Sequence, residues 1–237
     1  MSGMIPSVIL ALDVEDKNRA RSVLQATGDR LEWVKIGLQT YLRDGPDFVR
    51  EVADSGKKVF LDLKLHDIPN TMCKALESLA SLPIGMLTLH ASAGPQALNK
   101  CAEIANELMP DTLLLAVTVL TSMDEEALSA IGVNVSPQDQ VDRLANLATE
   151  SGIGGIVCSP LELTRLRPLL PENVKLVTPG IRPTGAALGD QKRIMTPADA
   201  RAAGADYLVI GRPILSHEDP AAALEAIQTE LSQPPKG

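Results

Sequence analysis

Aromatic side chains are almost missing from this chain: two Phe, two Tyr and one Trp make up 2% of it. With 45% hydrophobic residues in 237, the core must be built from Leu, Val, Ile and Ala, as barrels of branched strands and Ala-rich helices usually are. Positive charge is also short, since 22 Lys and Arg against 30 Asp and Glu leave a formal net charge of −8. That balance opposes an extended nucleic-acid or anionic-membrane surface, because both need a broad field of Lys and Arg. A small anion remains possible where cations cluster locally. Cysteine is sparse: Cys73, Cys101 and Cys158 show neither CxxC nor metal-ligand spacing, and read as reduced packing residues. Long apolar runs are lacking too. The stretch Val8-Ile-Leu-Ala-Leu12 stops at Asp13, and no basic region precedes it, so a soluble, unprocessed, cytoplasmic protein is expected.

What the chain does have is alternation. Apolar runs at 8–13, 32–37, 58–65, 85–91, 111–120, 154–159, 173–178 and 206–211 are short, rich in Leu or β-branched residues and without clean polar alternation. That is the mark of parallel strands covered by helices on one face and by a core on the other. Helical patterns fill the intervals, at 16–27, 46–55, 71–81, 95–108, 137–151, 161–169, 197–203 and 220–231, many opened by Pro or an acidic residue. Strand-helix alternation along the whole chain, with no linker or composition shift, predicts one α/β domain over 1–237, a (β/α)8 TIM barrel. A doubly wound sheet is the architectural alternative. The connection 180–196 is unusually long and carries Gly, Pro, Arg, Gln and Lys, so it reads as a functional lid, whereas the tail 232–237 reads as frayed.

In a barrel, chemistry sits at the C-terminal ends of the strands. Those ends offer Asp13, Lys35, the set Asp62, Lys64 and Asp67, then His90, Thr121 with Ser122, Ser159, Thr178 with Pro179, and Gly211 with Arg212. Strand ends emerge toward solvent, which accounts for any one polar residue there. It accounts poorly for Lys35 inside Glu32-Trp-Val-Lys-Ile-Gly37, and for Asp62 and Lys64 inside Val59-Phe-Leu-Asp-Leu-Lys-Leu65. Residues two apart on a strand share a face, so Asp62 and Lys64 are expected together inside the barrel, where unpaired charge is costly. With Asp13, Lys35 and Asp67 they could form a network of alternating sign. A purely structural ion network is the bland reading, yet it would stabilise little beyond what apolar packing does.

A second constellation follows strands seven and eight: Thr178-Pro-Gly-Ile-Arg182, Gln191-Lys-Arg193 and Ile210-Gly-Arg-Pro213. Loops at these positions often hold phosphate, with Gly211 allowing close backbone approach and Arg182 or Arg212 able to grip two oxygens. Lys192 and Arg193 read instead as solvated surface charges.

The stretch Asp62-Leu-Lys-Leu-His-Asp-Ile-Pro-Asn-Thr71 closely resembles the signature of the orotidine 5'-phosphate decarboxylases. Leu12-Asp-Val14, Val34-Lys-Ile-Gly37, Val117-Thr-Val-Leu-Thr-Ser122, Pro179-Gly-Ile-Arg182 and Gly211-Arg-Pro213 resemble the bacterial form of that family, in order and over nearly the whole chain. The resemblance implies decarboxylation of orotidine 5'-monophosphate to uridine 5'-monophosphate (UMP) and CO2, the last step of UMP biosynthesis, with neither metal nor cofactor. It implies a charged tetrad of Lys35, Asp62, Lys64 and Asp67, in which Lys64 is the acid at C6. It further implies a homodimer in which Asp67, Ile68 and Thr71 enter the neighbouring subunit's site. Asp13 and Lys35 would hold the ribose, and Thr121 and Ser122 would face the pyrimidine amide. Gln191 would bridge base and phosphate, while Pro179 lines the site and Arg182, Gly211 and Arg212 hold the phosphate.

Two rivals remain. Related barrels that act as Mg2+-dependent sugar-phosphate decarboxylases or aldolases share the Asp62-x-Lys64 pattern, but Lys35 puts a cation where they would need an acidic ligand. A non-catalytic nucleotide-phosphate binding barrel would need the phosphate arginines but no four-charge network.

Overall fold

The computed structural model describes residues 5–184 and 194–233. Eight strands, β1 Ser7–Ala11, β2 Trp33–Gly37, β3 Lys58–Leu65, β4 Ile84–His90, β5 Leu113–Val117, β6 Gly155–Val157, β7 Lys175–Thr178 and β8 Tyr207–Ile210, pair in sequence order into a closed barrel. Every neighbouring pair is parallel, including β8 with β1, so the ring has no edge and the doubly wound alternative is excluded. The helices between them are α1 Lys17–Thr27, α2 Leu38–Asp54, α3 Pro69–Leu79, α4 Pro95–Leu108, α5 Glu125–Ala130, α6 Pro137–Glu150, α7 Leu163–Leu169, α8 Pro197–Ala202, α9 Arg212–Leu215 and α10 Pro220–Ser232.

Side-chain parity divides the apolar residues into two layers. Ile9, Trp33, Phe60, Met86, Leu115, Val177 and Val209 pack together in the barrel interior. Their neighbours Leu10, Val34, Leu61, Leu87, Ala116, Leu176 and Leu208 belong to the larger layer between strands and helices. Burial on both faces is why the runs lack polar alternation. Trp33 and Phe60 fill the interior and Phe48 anchors α2, which shows how few aromatic rings such a core requires. The three cysteines are buried and unpaired, and burial pushes Cys101 and Cys158 up to about 12, as suits packing residues.

Helix starts follow local chemistry. Asp16, Asp124, Ser136, Thr196 and Asp219 each accept a backbone N–H of the first turn, and Pro opens α3, α4, α6, α8 and α10. Two boundaries differ from expectation by more than a few residues. The second helix begins at Leu38 rather than at Pro46, because the chain is already helical before Gly45 interrupts it with φ 72. Strand five pairs only over Leu113–Val117, and the apolar residues after it turn into the barrel mouth instead. The short α5 and α9 were not expected, although Asp124 followed by Glu125 and Glu126 is an ordinary helix start.

Candidate active site

The interior layer changes character at the C-terminal mouth. Two residues beyond Trp33, Phe60 and Met86 on the same inward face stand Lys35, Asp62 and Thr88. Lys35 Nζ lies 3.4 Å from Asp13 Oδ1 and 3.5 Å from Asp62 Oδ2. Lys64 Nζ donates to both oxygens of Asp62, at 2.7 and 2.8 Å. The result is a chain of alternating sign, Asp13, Lys35, Asp62, Lys64, running across β1, β2 and β3. Lys35 and Asp62 are buried, whereas the Lys64 side chain is 38% exposed and Asp13 is exposed. Burial alone would push the Asp62 carboxyl up, but Lys35 and Lys64, with hydrogen bonds from Lys64 and Thr88, outweigh it and hold the group below the usual carboxylate range.

Local backbone departs from ideal strand at this point. Leu61 pairs with Leu87 and Leu65 with Leu89, so Asp62, Leu63 and Lys64 stand opposite the single residue Thr88. Lys64 carries the bulge with φ 53, the one positive φ outside glycine among the described residues. A side chain held there costs ~1–3 kcal/mol, and such outliers gather at functional sites. The conformation turns Lys64 back onto Asp62, so the expectation that the two would meet holds by a route other than simple alternation.

Asp67 stands outside this chain of charges. It is exposed, its Oδ1 accepts the N–H of Ile68 at 2.7 Å, and among the described residues it makes no ion pair. Ile68 and Thr71 are also exposed, Ile68 at 66%, at the start of α3. Within one chain, then, the expected tetrad is a triad of Lys35, Asp62 and Lys64 joined by Asp13.

A cavity of about 200 Å³ opens beside Lys35, Asp62 and Lys64, with Thr121, Pro179 and Cys158 on its wall and Phe60 at its floor. Ser122 follows Thr121 and is exposed. On the far side Gly211 caps α9, and Arg212 is its exposed first residue. Arg182 is buried and donates to the carbonyl of Ile181 at 2.8 Å, while its own N–H donates to the carbonyl of Met195. Gln191, Lys192 and Arg193, with most of the expected lid, lie outside the described residues.

Three features escaped sequence reasoning. Thr88 is fully buried and joins Asp62 to the backbone of Lys64. It offered the same signal as Lys35, a polar residue inside an apolar run, in a weaker form. Gly37 is the second: a Cβ there would lie 2.8 Å from Asp13 Oδ1 and 2.9 Å from Lys35 Nζ, so only glycine leaves that ion pair its space. The third is His66, whose ring sits 5.3 Å from that of His90. Burial, with His66 and Lys64 close by, pushes His90 below its ordinary value despite Asp62, which keeps the imidazole neutral at neutral pH.

Residues 6–227 match the profile of the orotidine 5'-phosphate decarboxylase / HUMPS family. The chain belongs to this family. It is 53% identical over 228 residues to an orotidine 5'-phosphate decarboxylase of Opitutus terrae, covering 96% of this chain and 99% of that protein. The corresponding enzyme of Vibrio vulnificus is 48% identical over 227 residues, covering 95% and 98%. Among solved structures, orotidine 5'-phosphate decarboxylase from Lactobacillus acidophilus superposes with a TM-score of 0.85 at 34% identity, over 97% of this chain and all of that one. The family match spans every site residue described above, from Asp13 to Arg212.

Proposed function

We propose that the protein decarboxylates orotidine 5'-monophosphate to UMP and CO2, acting in the cytoplasm as a homodimer with shared sites. The family description covers more than one activity, whereas the curated relatives at 53% and 48% identity carry one name. The observation that carries the reading is the chain of charges at the mouth, which leaves Lys64 as a partly open ammonium beside a cavity.

Breaking the bond from C6 to the carboxylate releases CO2 and leaves the electron pair on C6, with no adjacent carbonyl to delocalise it. A fixed cation beside that carbon stabilises the developing charge and then supplies the proton. Lys64 is that cation. Its Nζ–H passes to C6, and the neutral amine regains a proton from water. Asp62, itself fixed by Lys35 and Thr88, sets where the ammonium rests. Asp13 and Lys35 hold the ribose, Thr121 and Ser122 face the base, and Gly211 with Arg212 and Arg182 takes the phosphate. That remote grip contributes binding energy that orients C6. In the dimer, Asp67, Ile68 and Thr71 of one subunit reach the other's site, in accord with the exposure of all three within a single chain.

Among the described residues no three His, Cys, Asp or Glu side chains converge as a metal cluster, and the Asp13 and Asp62 carboxylates each face an ammonium. Among them, too, no helix is long and apolar enough to cross a membrane. The test is direct. The purified protein with orotidylate should show the loss of orotidylate absorbance at an unchanged rate in excess chelator. Failure to consume orotidylate, or activity on a sugar phosphate that chelation removes and Mg2+ restores, would overturn the reading.

A further inference from the structure

Thr88 lies in the middle of β4 between Leu87 and Leu89, fully buried, without a place in the chain of charges. We propose that Thr88 is a positioning residue for the decarboxylation: its one hydroxyl fixes the Asp62 carboxylate and the Lys64 backbone together, and so sets where the ammonium is held. The inference rests on the function proposed above.

The bulge creates the need. With three residues of β3 facing one of β4, the Lys64 N–H has no place in the regular ladder, and a polar group left unsatisfied there costs ~1–3 kcal/mol. Thr88 Oγ1 accepts that N–H at 2.9 Å. Its own proton goes to Asp62 Oδ1, also at 2.9 Å. The direction of both bonds is forced, because a backbone N–H only donates and an ionised carboxylate only accepts. The same Asp62 oxygen receives Lys64 Nζ at 2.7 Å, so hydroxyl, carboxylate, ammonium and backbone close a ring through Thr88, Asp62 and Lys64. A closed ring of short bonds ties the tip of the lysine to its own backbone. Remove the hydroxyl and both ends lose their common anchor: Asp62 is left to its ion pairs with Lys35 and Lys64, and the Lys64 N–H loses the acceptor that holds it in the left-handed conformation. Catalysis by a fixed charge is sensitive to this, since misplacement by about 1 Å can cost about 10²-fold in rate. Thr88 itself is set behind Asp62, outside the cavity lining. Its effect therefore passes through Asp62 and Lys64.

Thr88→Val keeps the shape of the side chain and removes the hydroxyl, whereas Thr88→Ser keeps the hydroxyl. The variants are compared with the wild type for kcat, KM for orotidylate and affinity for UMP. In Thr88→Val, kcat should fall ~30- to 100-fold while KM and UMP affinity stay within ~3-fold, and Thr88→Ser should keep kcat within ~3-fold of wild type. A Val variant with wild-type kcat overturns the inference. So does an equal loss in Val and Ser, or a loss of kcat matched by a loss of UMP binding, since each would mean packing rather than positioning. Should Thr88→Val not fold, Thr88→Ala is read in the same way, and if neither folds the hydroxyl serves the barrel rather than the site and the inference falls. A wild-type protein without turnover overturns the proposed function itself, an outcome distinct from a wild-type rate in the variant.

Discussion

The two ends of the barrel both carry paired charge, buried at the mouth and half-buried at the floor, and they use it differently. At the N-terminal floor Asp206 accepts from Lys175 at 3.2 Å, from Arg167 at 3.3 Å and from the backbone N–H of Leu176 at 2.8 Å. Arg167 also donates to the carbonyls of Pro171 and Val174. The links tie α7 and β7 to the connections beside them, the cations spread over α7 and β7, and no residue of the network has a positive φ. At the mouth, by contrast, Lys64 has one carboxylate partner among the described residues, a left-handed backbone and an open side facing a cavity. Size does not tell the ends apart in favour of chemistry. The depression near the floor, about 670 Å³ beside Trp33, Lys57, Lys58 and Asp111, is larger than the cavity at the mouth. On the proposed function, incomplete pairing and local strain mark the working end, whereas fuller pairing marks the end that holds the barrel together.

The comparison breaks most plainly at Lys64. Lys64→Ala should lower kcat by at least about 10⁴-fold, because electrostatic stabilisation and proton delivery are lost together, with UMP still bound. Single-turnover kinetics with a parallel UMP titration measure both. Equal loss of binding would make Lys64 a structural cation like Lys175. Next in size is the rescue of a shared site. Lys64→Ala and Asp67→Ala homodimers should each be nearly inactive. Mixed under conditions that allow exchange, about half the dimers become hybrids with one intact site, which returns roughly a quarter of wild-type activity. Verified hybrids without activity would place Asp67 in its own subunit's site.

Smaller effects sharpen the contrast. Gly37→Ala should reduce kcat/KM ~10- to 100-fold, since the new methyl falls where Asp13 and Lys35 meet, while stability changes little. Unchanged kinetics would mean that the pair gives way without consequence. Asp206→Asn should do the opposite. It weakens the floor by ~1–3 kcal/mol, read from chemical denaturation, and leaves kcat alone. A fall in kcat there would end the division between a working and a holding end.

Much of this was legible in the sequence, for a physical reason: a charge inside an apolar run must be paired or used. Lys35, Asp62 and Lys64 declared themselves that way, and the alternation of short apolar runs carried the closed barrel. Thr88 did not, because threonine suits any strand by β-branching alone and only the bulge opposite gives its hydroxyl a task. Gly37 was hidden for a related reason. A glycine tells that space is needed, but not that Asp13 and Lys35 fill it. Left-handed backbone at Lys64 depends on how β3 pairs with β4, a relation between distant segments that no local pattern encodes.

That backbone supplies the finest test of the comparison. Among L-residues a side chain at φ 53 is disfavoured by ~1–2 kcal/mol, whereas glycine occupies the region freely. Lys64→Ala and Lys64→Gly remove the same ammonium and should be equally inactive, so stability isolates the backbone. The glycine variant should be the more stable by ~1 kcal/mol, about 2–4 °C in Tm for a chain of this size. The floor should show the reverse. Asp206 is not among the residues of positive φ, so Asp206→Gly should be less stable than Asp206→Ala by ~0.5–1 kcal/mol, through the extra freedom of the unfolded chain. Opposite orders at the two ends are what a strained working lysine and a relaxed holding aspartate require. If alanine proves as stable as glycine at position 64, the left-handed turn is held without strain, and the mouth differs from the floor in charge pairing alone.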